Sequence, residues 1–225
     1  MLHQETGTKH DPHFEETFQG SSVMAIFRGR SVAETLDLAH RVWDLGIRVV
    51  EVTVQTDADF DALVATASEA RRRGLVVGAG TVITPDKLRR AVASGAQFTV
   101  SPNLSLEVIE AARAADVPHL PGVATGSEVH VALDAGCTWL KAFPAVSLGP
   151  NWFSAMRGPF PSARLVATGG ITVGEIDNYL SAGATVVGLG SALTDPGSAQ
   201  ALSQVIERQS TGPRGDAAQT PEISN

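Results

Sequence analysis

Three features of the 225-residue sequence predict an α/β protein, a (β/α)8 (TIM) barrel with a short N-terminal extension. Short runs rich in Val, Ala and Gly alternate with amphipathic stretches of helix length. The alternation repeats eight times, and no break in composition divides the series. An open doubly wound sheet would also alternate, but it needs a glycine-rich phosphate loop at its first strand–helix turn. The turn here is Phe27-Arg28-Gly29-Arg30-Ser31.

In chain order, residues 1–20 are polar and aperiodic and read as a flexible arm or a short leading helix. Residues 21–210 make the barrel, and 211–225 read as a disordered tail. Strands are expected at 23–28, 49–54, 76–82, 98–102, 119–123, 139–144, 164–170 and 186–191. Their near-continuous apolar character is what strands buried on both faces require. Helices are expected near 31–45, 57–73, 84–94, 104–114, 126–135, 149–158, 172–182 and 198–208. Ser31 with Glu34 forms a capping box, Thr84-Pro85 and Thr172 open further helices, and Gly46, Gly74, Gly95, Gly136 and Gly183 close them.

Composition excludes several classes of function. No apolar run is long enough to span a membrane. The first residues contain no apolar segment of a secretory signal, so a cytoplasmic protein is expected. The single cysteine, Cys137, rules out an intrachain disulfide or a cysteine-cluster metal site and reads as an inert buried thiol. With 24 acids against 17 bases and no basic run longer than Arg71-Arg72-Arg73, nucleic acid is not an expected partner. The six histidines show no metal-binding spacing. His40 and His130 read as helix-surface residues and His119 as a strand start, so no metal and no cofactor is expected.

The chemistry concentrates on one residue type. Only three of the bases are lysines. Lys9 lies in the polar leader, and Lys87 reads as part of a solvent-facing helix start. Lys141 lies among Trp139, Leu140, Ala142 and Phe143, where a lysine is rarely placed for solubility. In the second strand Val50, Val52 and Val54 share the face that suits the helices, so Glu51, Thr53 and Gln55 point inward. In the sixth, Lys141 and Phe143 share a face. An ammonium and a carboxylate inside a closed barrel allow two roles. One is a structural ion pair. The other is an amine nucleophile that attacks a ketone while the carboxylate shuttles protons. Buried pairs seldom stabilise a core relative to apolar residues, which favours the second.

Glycines mark a further site. The seventh strand ends in Thr168-Gly169-Gly170 and the eighth in Gly188-Leu189-Gly190-Ser191. Backbone amides after these two strands are the usual phosphate site of the fold, although such glycines can also serve only tight turns. In a chain of net charge −7, attraction for an anion falls to such local donors. Thr81 and Ser101-Pro102-Asn103 end the third and fourth strands and line the mouth. Arg28 ends the first strand, where it can bind a carboxylate or pair with a helix acid. Thr125 is a mouth residue or a helix cap.

The motifs VVEVTVQT (49–56) and WLKAFPA (139–145), with GAGTV (78–82), TVSPN (99–103), LPGVAT (120–125), ATGGI (167–171) and GLGSAL (188–193), resemble one family from Met24 to Leu193. It is the class I aldolase family acting on 2-keto-3-deoxy-6-phosphogluconate, its phosphogalactonate epimer or 4-hydroxy-2-oxoglutarate. The resemblance implies that Lys141 forms the Schiff base and Glu51 transfers protons. It further implies that Arg28, Thr53, Gln55, Thr81, Pro102 and Phe143 contact the substrate, and that Gly169, Gly170, Gly190 and Ser191 hold its phosphate. A small anionic keto acid would be cleaved to pyruvate and glyceraldehyde 3-phosphate by a homotrimer, without metal. Gln55 stands where phosphogluconate members carry a carboxylate-binding arginine, so that task would pass partly to Arg28 and Thr81. The neutral amide, the AIFRG run (25–29), the Pro102-Asn103 pair and Gly149-Pro150 look more like phosphogalactonate members. The competing readings are an aldolase for a non-phosphorylated 2-keto acid, a sugar-phosphate isomerase or decarboxylase, and a non-catalytic sugar-phosphate-binding barrel.

Overall fold

The structure, a computed structural model, describes residues 12–195 and 197–211; Lys9, the first part of the expected arm and all but the first residue of the expected tail lie outside them. The chain opens with α1 (Pro12–Thr17), β1 (Val23–Phe27), α2 (Val32–Asp44), β2 (Val49–Thr53), α3 (Asp57–Arg73), β3 (Val76–Gly80) and α4 (Pro85–Ala93). It continues with β4 (Thr99–Val100), α5 (Leu106–Ala114), β5 (His119–Leu120), β6 (Gly122–Val123), α6 (Gly126–Asp134) and β7 (Trp139–Ala142). The last elements are α7 (Ala145–Leu148), α8 (Pro150–Arg157), β8 (Arg164–Thr168), α9 (Ile176–Ala182), β9 (Ala184–Leu189) and α10 (Ser198–Thr211). Helix boundaries follow the expected caps. Ser31 and Glu34 satisfy each other's backbone N–H in a reciprocal box, and Gly74 and Gly183 close α3 and α9 in the left-handed conformation.

All strands are parallel, in the order β5-β4-β3-β2-β1-β9-β8-β7-β6. β5 and β6 are two halves of one expected strand, cut at Pro121, which has no N–H to give to a ladder. The first half pairs with β4 and the second with β7. Backbone bonds bridge the cut: Gly122 N–H donates to Asn103 O at 3.2 Å, and Lys141 N–H to Pro121 O at 2.8 Å. Eight strand–helix units therefore close on themselves.

Alternation sorts the side chains into two cores. Ala25, Phe27, Val50, Val52, Val77 and Ala79 face outward onto Leu38, Val42, Leu63, Leu88 and other helix residues. Met24, Val49, Phe98, Val100, Leu120, Trp139, Val166 and Val186 fill the lumen. α1 closes its floor. Phe14 and Phe18 are buried, Phe18 stacks on Trp139 at 5.2 Å, and Phe14 meets Phe98 edge-on at 5.9 Å. The leading segment is thus a helix over 12–17, amphipathic enough to plug one end of the barrel. Two regions depart from the expected helices. The segment after β7 turns through α7 before α8, and the helix expected at 172–182 begins as a 3-10 turn over Val173–Glu175.

Candidate active site

β2 and β7 deliver Glu51 and Lys141 to the same point in the lumen. The two residues are 0% and 5% exposed, and Lys141 Nζ lies 3.7 Å from Glu51 Oε1. That distance makes an ion pair but not a hydrogen bond. Neither carboxylate oxygen has a hydrogen-bond partner among the described residues. A structural pair in a core would have those lone pairs satisfied, so this arrangement departs from a purely structural one. The space for it comes from β3, whose residues Gly78 and Gly80 pair in register with Glu51 and Thr53. A Cβ on Gly80 would sit 1.8 Å from Glu51 Oε1, and one on Gly78 would strike the Phe98 ring at 2.3 Å.

Around the amine the surroundings are apolar on one side and hydroxylic on the other. The Phe143 ring centre lies 5.3 Å from Lys141 Nζ. Thr53 and Thr168 are both 1% exposed and share the inner face, and neither hydroxyl oxygen has a hydrogen-bond partner among the described residues. A cavity of about 460 Å³ opens above Lys141, at the carboxyl ends of β1, β7, β8 and β9, a volume suited to a small ligand.

Glycines and two arginines line the cavity. Gly169 and Gly170 line it with φ of 99° and 81°, a conformation that few other residues adopt. A Cβ on Gly170 would also come within 2.6 Å of Val146. Gly190 and Ser191, after the neighbouring strand β9, line it as well, where a 3-10 turn over Ser191–Thr194 begins. Arg28 and Arg30 complete the rim, and neither forms an ion pair among the described residues. Two larger clefts, of about 690 and 520 Å³, lie by α1 and by Arg157 and Arg164; neither contains a lysine.

Of the residues singled out in the sequence, the cavity gathers Lys141, Arg28, Phe143, Gly169, Gly170, Gly190 and Ser191, with Glu51 and Thr53 beside it in the lumen. Others lie apart. Gln55 does not continue the inward face. β2 ends at Thr53, the capping box of Thr56 and Asp59 draws the chain out of strand geometry, and Gln55 is exposed, its N–H donating to Asp59 Oδ2. Arg28 lies one residue past β1 and is exposed. Thr81 is half-buried with φ of 61°, a strained conformation for a threonine, and lies outside the cavity lining. Pro102 is also half-buried, its backbone packed against Gly122. Thr125 proves to be a helix cap, boxed with Glu128. Lys87 is not simply solvent-facing, since its ammonium donates to Val54 O at 3.1 Å.

Sequence reasoning missed Ile26, Arg30, Ile171 and Thr194 in the cavity and treated Thr168 only as a strand end. Thr168 could have been found from its alternation with Val166. Arg30 gave no signal, because the chain turns at Gly29, whose φ is 61°. His119 is more than a strand start. It is 6% exposed and lies between Thr99 Oγ1 and Ser101 Oγ, and burial pushes its imidazole down to about 4. Among the described residues no cluster of His, Cys, Asp and Glu could hold a metal ion, and no helix is long and apolar enough to cross a membrane.

Residues 14–207 match the family model described as KDPG and KHG aldolase, where KDPG is 2-keto-3-deoxy-6-phosphogluconate and KHG is 4-hydroxy-2-oxoglutarate. The KHG/KDPG aldolase of Escherichia coli (strain K12) is 39% identical over 137 residues, 60% of this chain and 63% of that protein. The match therefore spans less than two thirds of that relative's length. The 2-dehydro-3-deoxy-6-phosphogalactonate aldolase of the same organism is 33% identical over 172 residues, 76% of this chain and 83% of its own. A solved KDPG aldolase from Legionella pneumophila, with pyruvate captured at low pH as a covalent carbinolamine intermediate, superposes with a TM-score of 0.75 at 31% identity. That superposition covers 90% of this chain and 98% of the other.

Proposed function

This chain belongs to the KDPG and KHG aldolase family, and on that premise we propose that it is a class I aldolase cleaving a 2-keto-3-deoxy-6-phospho sugar acid to pyruvate and glyceraldehyde 3-phosphate. The observation that carries the reading is the pair of Lys141 Nζ and Glu51 Oε1, 3.7 Å apart and buried in the lumen under the glycine- and arginine-lined cavity. The amine of Lys141 adds to the C2 carbonyl, and the carbinolamine loses water to give an iminium. Glu51 supplies and removes protons in that step, then takes the proton of the C4 hydroxyl as C3–C4 breaks. The bonding electrons pass into the iminium as an enamine. Protonation at C3 and hydrolysis release pyruvate and regenerate the amine.

The reading assigns the phosphate to Gly169, Gly170, Gly190 and Ser191, and Phe143 to the pyruvyl end. Thr53, Thr81 and Pro102 are assigned to the carboxylate side, with Arg28 compensating for the neutral, outward Gln55. The glycine cradle and Arg30, left over once Arg28 is given to the carboxylate, support a phosphorylated substrate over a non-phosphorylated one. Both C4 epimers fit this reading, and their relative turnover decides between them. A cytoplasmic homotrimer completes it. Exposed Val64, Ile83 and Leu106, on or beside α3, α4 and α5, are apolar surface that subunit contact would cover, and the mass in sedimentation equilibrium checks it.

The direct test is borohydride reduction in the presence of pyruvate, followed by peptide mass mapping. A stable adduct on the Lys141 peptide, absent from Lys141→Arg, is the expected result. No adduct, or one on Lys87, would sink the reading. An adduct without cleavage of either epimer would point to a binding barrel instead.

A further inference from the structure

The wall that carries Lys141 is the one interrupted at Pro121. Lys141 pairs in register with Gly122, and its N–H reaches Pro121 O. Gly122 leans in turn on the loop after β4: a Cβ there would come within 2.3 Å of the carbonyl carbon of Pro102, and Gly122 N–H donates to Asn103 O. A second donor holds that same carbonyl, the hydroxyl of Ser101 at 2.6 Å. Ser101 is fully buried, and its oxygen also meets His119 Nε2 at 3.3 Å. His119 Nδ1 lies 2.9 Å from Thr99 Oγ1, the residue with which His119 pairs in register. With Ser101's proton committed to Asn103 O, Nε2 is the side of the ring that donates to Ser101 Oγ, while Thr99 Oγ1, which also lies 3.5 Å from Pro118 O, faces Nδ1. An unbroken series of contacts therefore runs from His119 through Ser101, Asn103 and Gly122 to Lys141. A leucine would fill the same volume without the cost of burying an imidazole, so packing alone does not account for this residue.

We propose that His119 is a positioning residue for the aldol reaction: through Ser101 it stiffens the barrel where Pro121 removes a ladder hydrogen bond, and so holds the Lys141 strand in place against Glu51. It touches neither the substrate nor the reacting atoms. The inference rests on the aldolase reading above, and its test separates the two.

Cleavage kinetics and the rate of pyruvate–borohydride trapping are measured for the wild type, His119→Leu, Ser101→Ala, their double variant and His119→Gln, well below each melting temperature. A small misplacement of the amine lowers rate more than binding, so His119→Leu should lose about tenfold in kcat and in trapping rate. Its KM should change by less than about twofold. Ser101→Ala, the milder variant should His119→Leu fold poorly, should lose a similar factor, and the double variant should be no worse than either single one. His119→Gln, whose amide N–H can reach Ser101 Oγ, should recover to within about threefold of the wild type. Unchanged trapping with only a lower Tm would overturn the proposal, as would additive losses in the double variant. A wild-type adduct with unaltered variants overturns this inference alone; a wild type that forms no adduct overturns the aldolase reading and this inference with it.

Discussion

Glu51 owes its place to the absence of a side chain on the neighbouring strand. At 0% exposure and without a hydrogen-bond partner among the described residues, it occupies volume that Gly80 leaves open, and any Cβ there overlaps its carboxylate. Gly80→Ala should therefore swing the carboxylate away from Lys141. We expect kcat for cleavage to fall by about 100-fold and stability by about 1–3 kcal/mol from overpacking. Kinetics set beside a urea titration check both, and a kcat close to the wild type would mean that Glu51 is not the proton carrier. Glu51 was legible from alternation, because a strand with one face on the helices must point its remaining polar residues inward, and Lys141 from its apolar neighbours, although its direction was decided by the fold. Gln55 followed the same alternation and misled, since the cap of α3 ends the strand two residues earlier.

At the scale of elements, α1 behaves as part of the barrel rather than as an appendage. Phe14 is fully buried and meets Phe18, Phe98 and Trp139 at ring-centre separations of 6.0, 5.9 and 6.1 Å. Phe14→Ala should cost about 3–5 kcal/mol of unfolding free energy in urea. The floor lies at the opposite end from the cavity, so kcat should stay within about twofold of the wild type. A large loss of kcat in a folded variant would show that the plug also shapes the site. The alternation of helix and strand, and most caps, could be read from the sequence because those signals are local. The cut at Pro121 was printed in the sequence too, but its meaning depends on which neighbours each half pairs with.

At the scale of the whole molecule, His119 links stability to pH. Burial lowers it from 6.5 to about 4, so between those values the unfolded chain binds a proton that the fold refuses. Its contribution is complete above about pH 6.5 and is lost progressively as pH falls toward 4, by up to about 3 kcal/mol. Besides Thr99 and Ser101 in front, His13, Arg113, Asp116 and Cys137 line the shallow cleft on which His119 borders. Urea midpoints of the wild type and His119→Gln should converge as pH drops from 7 to 4.5, because only the wild type has this proton to take up. Parallel curves would show that the imidazole is not held neutral by the fold. Glu34 and Glu175 are also lowered, chiefly by capping-box hydrogen bonds from Ser31 and Thr172, and are common to both proteins, so they cancel in the comparison.

The sequence by itself determined the eight-unit barrel, the inward glutamate, the lysine set among apolar neighbours, and the glycine turns that line the cavity. Each of these follows from periodicity or from residue types tied to a local backbone conformation. Only the tertiary structure decided that the ammonium and carboxylate stop at 3.7 Å, that Arg30 and Thr168 join the cavity, and that a histidine bridges β4 to the split strand. Those are distances between residues remote in the chain, set by how twisted strands close into a ring, and no local pattern encodes them.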